Sequence, residues 1–404
     1  MEEPARRGGR PLSVEALWVV LPTGQRASGE WIDDTLRRRA EERGLLARTP
    51  RAGDFPRQRV EVVRGADPVE EVNARFEARG WTDGLPIVPP TLGRVAALCA
   101  TTTRPPTEAL GKVEPLRGVA TVEKVAANAV MAGCRPEHFP IVLAAVEAAL
   151  DPAFNMRGVQ TTDENVAPLV VVSGPAAAAA GVNAGFGALG PGWRANAAIG
   201  RALRLVMVNL GGGWPGAVSL AGLAQPGRYT LCVAERDDSP WPPLHVELGY
   251  RAEQSAVTLF RAETVINVTG GLGELASVMA SAASAFTMRY EGRVVVVVAP
   301  FVARRLAAEG WSKEDVRRAL YKDARVPVSV WQAWWLRATA PGWPAWVREA
   351  EAAGTLPVVR SPEDISVIVA GADLAIPQLA YVPSWGFPPC RVTRPITPAV
   401  DLIG

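Results

Sequence analysis

The chain has 404 residues, and its 43 Lys and Arg residues nearly balance its 41 Asp and Glu residues, giving a net charge of +2. This balance argues against nucleic acid as a partner. No apolar run reaches the roughly 18–20 residues that span a bilayer, and the N-terminal MEEPARRGGRPLS lacks the apolar centre of a signal peptide. We therefore expect a cytoplasmic globular protein without a membrane partner, long enough for two or three domains.

Cysteine and histidine are scarce. The two histidines, His138 and His245, and the four cysteines show no CxxC or other zinc-ligand spacing, so we expect no metal centre built on these residue types. An oxygen-ligated metal stays open, and the sequence identifies no cofactor. In a reducing compartment all four thiols should be free. The cysteines are Cys99, Cys134, Cys232 and Cys390.

The composition divides the chain into a charged N-terminal appendage, residues 1–65, and a core domain, residues 66–404, with two subdomains dividing near 217–290. In the appendage, ALWVVL at 16–21 predicts a strand, and the run DDTLRRRAEER within 31–46 predicts a helix. Its charges are typical of a solvated face. An arm that docks on a partner subunit is the alternative.

The core domain alternates helical and strand patterns. Three β-branched runs, PLVVVSG, RVVVVVAP and ISVIVAG, each end in Gly or Pro and predict strands buried on both faces. We expect an α/β fold: mixed, largely buried sheets with flanking Ala-rich helices and glycine-rich ligand loops. Helices are predicted at 68–80, 91–99, 121–132 and 137–150, and shorter strands at 228–233 and 256–260.

The glycine-rich segment 185–210 runs from a loop into a strongly periodic helix. Backbone N–H groups at a helix start favour anions, and Arg194 can grip a carboxylate or phosphate, with Trp193 as a flat wall and Gly190 and Gly192 permitting close approach. GFGALG also fits a loose dinucleotide-binding pattern. A structural glycine turn is the alternative, with Arg201 and Arg204 as structural ion-pair partners.

Candidate reactive groups lie in two further segments. Cys134, beside a cation in AGCRPEH, is a candidate nucleophile with His138 as its base, or else a buried small residue beside a capping histidine. The segment NMRGVQTTDEN at 155–165 is a dense polar patch or a solvated turn. Its Asp163 and Glu164 are candidate general bases. Substrate-orienting candidates are Gln160, Thr161, Thr162 and, on the long helix, Asn196.

Two rigid loops complete the candidate set. WTDGLPIVPP at 81–90 places Asp83 on a site wall or forms a structural crossover. VPSWGFPPCRVTRP at 382–395 carries a second thiol, Cys390, beside Arg391.

Four segments carry a family resemblance: WTDGLPIVPPT, GVATVEKVAANAVMAGCRPEHFPIVLAAVEAALDP, GFGALGPGWRANAAIGRALRLV and VTRPI. Across roughly residues 66–396 the chain resembles bacterial proteins associated with the UGSC-motif (seleno)protein group, loosely labelled thiol–disulfide oxidoreductases. The resemblance implies thiol redox chemistry. The UGSC motif itself is absent, and Cys134 is the one thiol in the block 118–214, so either a partner subunit supplies the reactive thiol or the chemistry is thiol-independent.

These observations lead to one functional hypothesis and two rivals. We expect an enzyme that acts on a small polar or anionic molecule, in a site combining the loops 81–86, 158–165, 185–196 and 211–216, by thiol-linked redox or by lyase, hydratase or hydrolase chemistry. The rivals are a non-catalytic or half-site subunit of a hetero-oligomer and a nucleotide-dependent oxidoreductase. We expect a homo- or hetero-oligomer in either case, since Arg and aromatic residues favour interfaces.

Overall fold

The computed structural model describes residues 13–18 and 60–397 as an α/β protein of four layers, in which two sheets pack face to face and helices cover both outer faces. The strands are β1 Ser13–Trp18, β2 Val60–Arg64, β3 Ala109–Val113, β4 Gly118–Thr121, β5 Ala167–Ser173, β6 Cys232–Ala234, β7 Ala256–Ala262, β8 Ile266–Thr269, β9 Val294–Val298, β10 Arg325–Pro327, β11 Thr355–Pro357, β12 Ile365–Val369, β13 Gln378–Val382 and β14 Val392–Pro395.

The helices include the predicted ones and several short additions. They are α1 Pro68–Ala78, α2 Leu92–Cys99, α3 Val122–Ala132, α4 Phe139–Leu150, α5 Met156–Thr161, α6 Ala176–Ala179, α7 Arg194–Gly211, α8 Leu244–Glu247, α9 Leu272–Ser281, α10 Ala285–Arg289, α11 Pro300–Ala308, α12 Lys313–Asp323, α13 Val328–Gln332, α14 Trp335–Thr339 and α15 Ala345–Ala352.

Capping chemistry sets the helix ends. The side chains of Thr91 and Thr121 accept hydrogen bonds from the first turns of α2 and α3, while α3 ends at Gly133 with φ of 90°. The predicted helix at 137–150 is a 3-10 turn, Pro136–His138, followed by α4. The sequence pattern therefore located these helices to within one or two residues at their caps.

The two main sheets repeat one topology. The first sheet has the order β14-β7-β5-β6 and the second the order β12-β9-β13-β8. In each, a parallel pair (β5 with β6, β9 with β12) is joined by helices, and an antiparallel strand (β7 or β13) lies beside the earlier member of the pair. The two sheets exchange one outermost strand each. β8 follows β7 in the chain but pairs with β13 of the second sheet, and β14 follows β13 but pairs with β7 of the first sheet.

Apolar side chains bury both faces of each sheet. Alternate residues of the strands, such as Val171 and Val297, meet between the two sheets, while their neighbours Val170 and Val296 pack against the outer helices. Every residue of β5, β9 and β12 is buried. This two-sided burial explains why these strands are unbroken apolar runs, as the sequence predicted.

Other predictions are met in part. The strand predicted at 228–233 is shorter, Cys232–Ala234, because Pro226–Arg228 forms a 3-10 turn. The chain passes from the first sheet to the second between Ala262 and Ile266 and returns to the first sheet with β14, while the division into subdomains near 217–290 stays a prediction. The strand predicted at 16–21 overlaps β1, and the helix predicted at 31–46 lies outside the described residues.

A buried ion cluster joins the two sheets. Lys313, at the start of α12, is 3% exposed and lies 3.0 Å from Glu235, which follows β6, and 3.2 Å from Glu247. The other Glu235 oxygen accepts hydrogen bonds from the Ser173 hydroxyl and the Leu244 N–H. Because Lys313 and Glu235 are both buried and paired with each other, the loss of one would leave the other charge buried without its partner.

We expect Lys313→Met to destabilise the protein by about 3–5 kcal/mol, because it leaves the Glu235 carboxylate buried without its cation. Urea denaturation of the two proteins measures this difference. The double variant Lys313→Met/Glu235→Gln should recover most of the loss, since neither charge then remains. A loss below about 1 kcal/mol in the single variant would contradict a paired role for Lys313.

Candidate anion-binding site

A cavity of about 530 Å³ lies against the C-terminal half of α7. Its walls are formed by the end of α1, the loop that follows α1, α7 itself, and the segment between α7 and Tyr229. The volume falls within the range of small-molecule sites. The residues that line it are Glu77, Ala78, Gly80, Thr82, Asp83, Gly84, Arg204, Val208, Trp214, Pro215, Ser219, Ala221, Ala224, Gln225, Arg228 and Tyr229.

Polar side chains of α7 and of the loop after it fix the near wall. Asn209 donates to the Trp81 carbonyl at 3.1 Å and to the Asn128 amide oxygen at 2.7 Å. The Trp214 indole donates to the Gly80 carbonyl at 2.8 Å. These bonds hold the loop after α1 along the helix, and they supply the partner that the buried Asn128 requires.

A close backbone approach fixes the opposite wall. At Gly200 an added Cβ would lie 2.4 Å from the Thr230 hydroxyl and 2.8 Å from the Leu231 nitrogen. Only glycine therefore lets the chain at 228–231 pack on α7. Because Gly200 and Arg204 are four residues apart, they share one face of the helix, and this packing brings Arg228 to the same cavity as Arg204.

The two arginines of this helical stretch have different roles. Arg201 forms two parallel hydrogen bonds of 2.8 Å to the Asp83 carboxylate and also donates to the Leu85 and Pro86 carbonyls. Arg204 is 7% exposed and forms neither a hydrogen bond nor an ion pair with any residue that the structure describes. The sequence prediction of ion-pairing therefore fits Arg201 and not Arg204.

The surroundings of Arg204 disfavour the charged form of its guanidinium. Burial, together with the positive charge of Arg228, lowers the pKa of Arg204 to about 9, and Asp83 opposes the shift. A group with this pKa stays largely protonated at neutral pH. The cavity therefore holds a buried positive charge with no direct counter-charge among the described side chains.

Arg228 provides a second guanidinium that is only partly satisfied. It is 8% exposed, and one terminal nitrogen donates to the Ser219 hydroxyl at 2.9 Å. Its Nε is buried and has no hydrogen-bond partner within the described ranges. Burial lowers the pKa of Arg228.

The carboxylates at the cavity do not neutralise these two cations. Asp83 uses both oxygens on Arg201, and Glu77 is exposed at the rim. Hence the interior carries an excess of positive charge, which is suited to an anionic group.

The predicted substrate-binding residues divide into two groups at opposite ends of α7. Asp83 lines the cavity, as do Gly84, Trp214 and Pro215 of the predicted loops 81–86 and 211–216. Gln160 is buried behind them, where it donates to the Glu114 carbonyl and lies so close to Gly211 and Gly213 that an added Cβ would come within 2.2 Å of its amide. Its role is to pack the loop rather than to line the cavity.

The glycine-rich loop lies at the far end. Arg194 is exposed at the start of α7, roughly 25 Å along the helix from Gly211, and its Nε donates to the Gly133 carbonyl. Trp193 donates to the Phe186 carbonyl, and Asn196 makes four hydrogen bonds to the carbonyls of Asn183, Ala188 and Cys232 and from the Asn183 N–H. Gly190 and Gly192 form the turn between. The single composite site expected from the sequence is thus split by the length of α7.

The nucleotide hypothesis gains no direct support from this loop. A dinucleotide-binding loop follows its strand immediately. Here the short helix α6 and several more residues separate β5 from Gly185.

The candidate thiol is enclosed in the core. Cys134 is 8% exposed, and burial raises its pKa above the ordinary thiol range, with Arg194 opposing only weakly. His138 is buried and its Nδ1 accepts the Arg135 N–H at 3.1 Å, while burial lowers the pKa of this imidazole. These surroundings match the alternative interpretation, a small buried residue and a capping histidine. Neither residue lines the cavity described above.

Cys232 and Cys390 are buried as well, and Cys99 is partly buried. Burial raises the pKa of Cys99 and of Cys390 to about 11 and that of Cys232 further. Cys390 lies beside the fully buried Arg261, whose guanidinium donates to the Phe387 and Pro388 carbonyls. A thiolate is therefore disfavoured at all four positions.

The polar patch at 161–165 supports the outer wall of the cavity through its backbone. The Asp163 carbonyl accepts the Gly222 N–H at 3.2 Å, and the Asn165 carbonyl accepts the Gln225 amide. The patch side chains bond locally instead: Thr161 to the Arg157 carbonyl, and Thr162 to the Glu164 N–H. The Asp163 side chain is exposed.

Glu164 interacts electrostatically with two other carboxylates, Asp163 and Glu263. Burial raises its pKa, as does Asp163, and Glu164 in turn raises the pKa of Glu263. Glu263 accepts a hydrogen bond from Ser284 at 3.0 Å, and burial raises its pKa to about 7.

Comparison with known proteins adds no family. The chain matches no family model and no curated protein. The resemblance to the UGSC-motif group therefore stays a prediction from sequence.

The described residues contain no clustered metal-ligand set and no single helix that could span a membrane. Within residues 13–18 and 60–397, no three His, Cys, Asp or Glu side chains form a group that could hold a metal ion. Over the same ranges, no single helix is long and apolar enough to cross a membrane, although the pair Pro136–Leu150 and Pro152–Thr161 meets the test together with a bend of 76°.

Sequence reasoning missed the two central residues of the cavity. Arg204 carried a usable signal, because it interrupts the apolar run Ala202–Val208 on a buried helix face, where an arginine requires an explanation. Arg228 carried none, since an arginine in a turn before a strand is ordinary.

The raised pKa of Glu263 predicts a specific dependence of stability on pH. The native state holds a proton that the unfolded chain releases near pH 4.5, so this group's stabilising contribution falls as pH rises from about 4.5 to 7. We expect a loss of about 2–3 kcal/mol across that window in the wild type, and no such loss from this site in Glu263→Gln. Urea midpoints at pH 5.0 and 7.5 measure it. Equal pH dependence in both proteins would refute the assignment.

Proposed function

We propose that this protein is an enzyme that binds a small organic anion in the cavity against α7, with Arg204 as the residue that grips the anionic group. The observation that carries the proposal is a buried guanidinium that faces a cavity and has no partner among the described residues. Unpaired charges are rarely buried, because removal from water costs several kcal/mol. A bound anion would offset that cost.

The rest of the lining indicates the kind of molecule. Trp214 and Val208 offer apolar surface, while Thr82, Ser219 and Tyr229 offer hydroxyl groups. Such a combination of apolar walls with a few polar groups is typical of small-molecule sites. A compact organic acid or phosphate ester fits this lining better than a bare inorganic ion, which would leave the Trp214 side unused.

The cavity favours thiol-independent chemistry. None of the cysteines lines it, and burial disfavours the thiolate at each of them. Of the reaction classes expected from the sequence, a lyase, hydratase or hydrolase fits better than thiol-linked redox. Groups within the lining that can accept or donate a proton include the Asp83 carboxylate, which is hydrogen-bonded to Arg201, and the hydroxyl of Tyr229.

Arg204→Met tests the proposal directly. We expect binding of small carboxylates and phosphate esters, measured by calorimetry, to weaken about 10- to 100-fold, since a charge-assisted hydrogen bond is lost. The same substitution should stabilise the ligand-free protein by about 1 kcal/mol, because it removes an unpaired buried charge that Arg228 repels. Thermal unfolding without ligand measures this second effect.

Arg194→Met is the matched control, because it removes the other candidate arginine from the exposed end of the same helix. We expect it to leave anion binding unchanged. Loss of binding in Arg194→Met, with Arg204→Met unaffected, would move the site to the glycine-rich loop. Strong destabilisation by Arg204→Met would show that the arginine is structural.

A further inference from the structure

Two guanidiniums, not one, belong to residues that line the cavity and have no carboxylate partner among the described residues. Arg204 lies on α7 and Arg228 lies on the loop that packs over Gly200 of the same helix. Among the described residues, Arg228 donates a side-chain hydrogen bond to Ser219 alone, and a hydroxyl carries no charge. The Nε of Arg228 is buried and has no hydrogen-bond partner within the described ranges, so this guanidinium is only partly satisfied by the protein.

The other charged groups around the cavity leave this excess in place. Asp83, from the loop after α1, is neutralised by its two bonds to Arg201. Glu77, from α1, lies at the exposed rim, where solvent screens it. A ligand with one negative charge would pair with one guanidinium and leave the other buried and uncompensated.

Resting on the proposed function, we propose that the ligand of this cavity is a dianion, with Arg204 and Arg228 sharing its two charges. A phosphate monoester and a dicarboxylate both satisfy this chemistry. In either case the apolar part of the molecule lies toward Trp214 and Val208, and Ser219 positions the Arg228 fork. Arg228 is on this account a specificity-determining residue, since it separates doubly from singly charged ligands.

The test compares dianions with monoanions of matched shape. Methyl phosphate is paired with methyl sulfate, and succinate with succinamate, in calorimetric titrations at pH 8 and low ionic strength. We expect the dianion of one pair to bind about 10- to 100-fold more tightly than its monoanion. The pair that shows the difference identifies the ligand as a phosphate ester or a dicarboxylate.

Variants at Arg228 test whether this residue causes the difference in affinity between dianions and monoanions. We expect Arg228→Met to reduce the ratio between dianion and monoanion to near one, and Arg228→Lys to retain most of it. Far-ultraviolet circular dichroism checks that each variant folds. If a variant does not fold, the ratio of dianion to monoanion affinity in the wild type decides whether the ligand is a dianion.

The outcomes separate this inference from the function on which it rests. Equal binding of both members of each pair, still lost in Arg204→Met, overturns the dianion and leaves the anion site standing. A dianion preference that survives Arg228→Met overturns the role of Arg228. Absence of binding for all four probes overturns the proposed function itself.

Discussion

The burial of two apolar sheet faces against each other is the constraint on which the rest of the molecule depends. Because the inner faces meet, strands such as β5 and β9 are covered on both sides, and long helices such as α4, α7 and α12 pack on the outer faces. The exchange of β8 and β14 gives each sheet a strand from the other half of the chain, so neither sheet is complete alone. The buried Lys313 and Glu235 join the sheets again at one end. This framework holds α7 rigidly along its whole length, which a site built on its face requires.

The cavity illustrates how such a framework can tolerate an unfavourable charge. Arg204 costs stability where it lies, and the surrounding core offsets that cost. Arg201, one turn earlier, forms a bidentate pair with Asp83 that closes the loop after α1 onto the helix. Neighbouring arginines of one helix thus differ in their surroundings, because Arg201 is paired with a carboxylate and Arg204 lines the cavity. Residues that reduce stability and face a cavity are where activity is expected.

Much of the secondary structure was predictable from the sequence, and the site was predictable only in part. The β-branched runs and the helix periods identified β5, β9, β12, α3 and α7 because burial and capping act over a few neighbouring residues. The composite site failed to form around Arg194, since a sequence pattern does not reveal that an 18-residue helix holds two loops apart. Pairing of Asp83 with Arg201, and the approach of Arg228 over Gly200, depend on contacts more than 25 residues apart in the chain, which local patterns do not encode.

The central claim is that Arg204 and Arg228 together hold an anion. A crystal soaked in selenate, with diffraction data collected at the selenium absorption edge, tests this most directly. The account predicts an anomalous peak in the cavity beside Trp214, within hydrogen-bonding distance of both guanidiniums. A cavity without that peak, or one in which a carboxylate of the protein itself reaches Arg204, would contradict it.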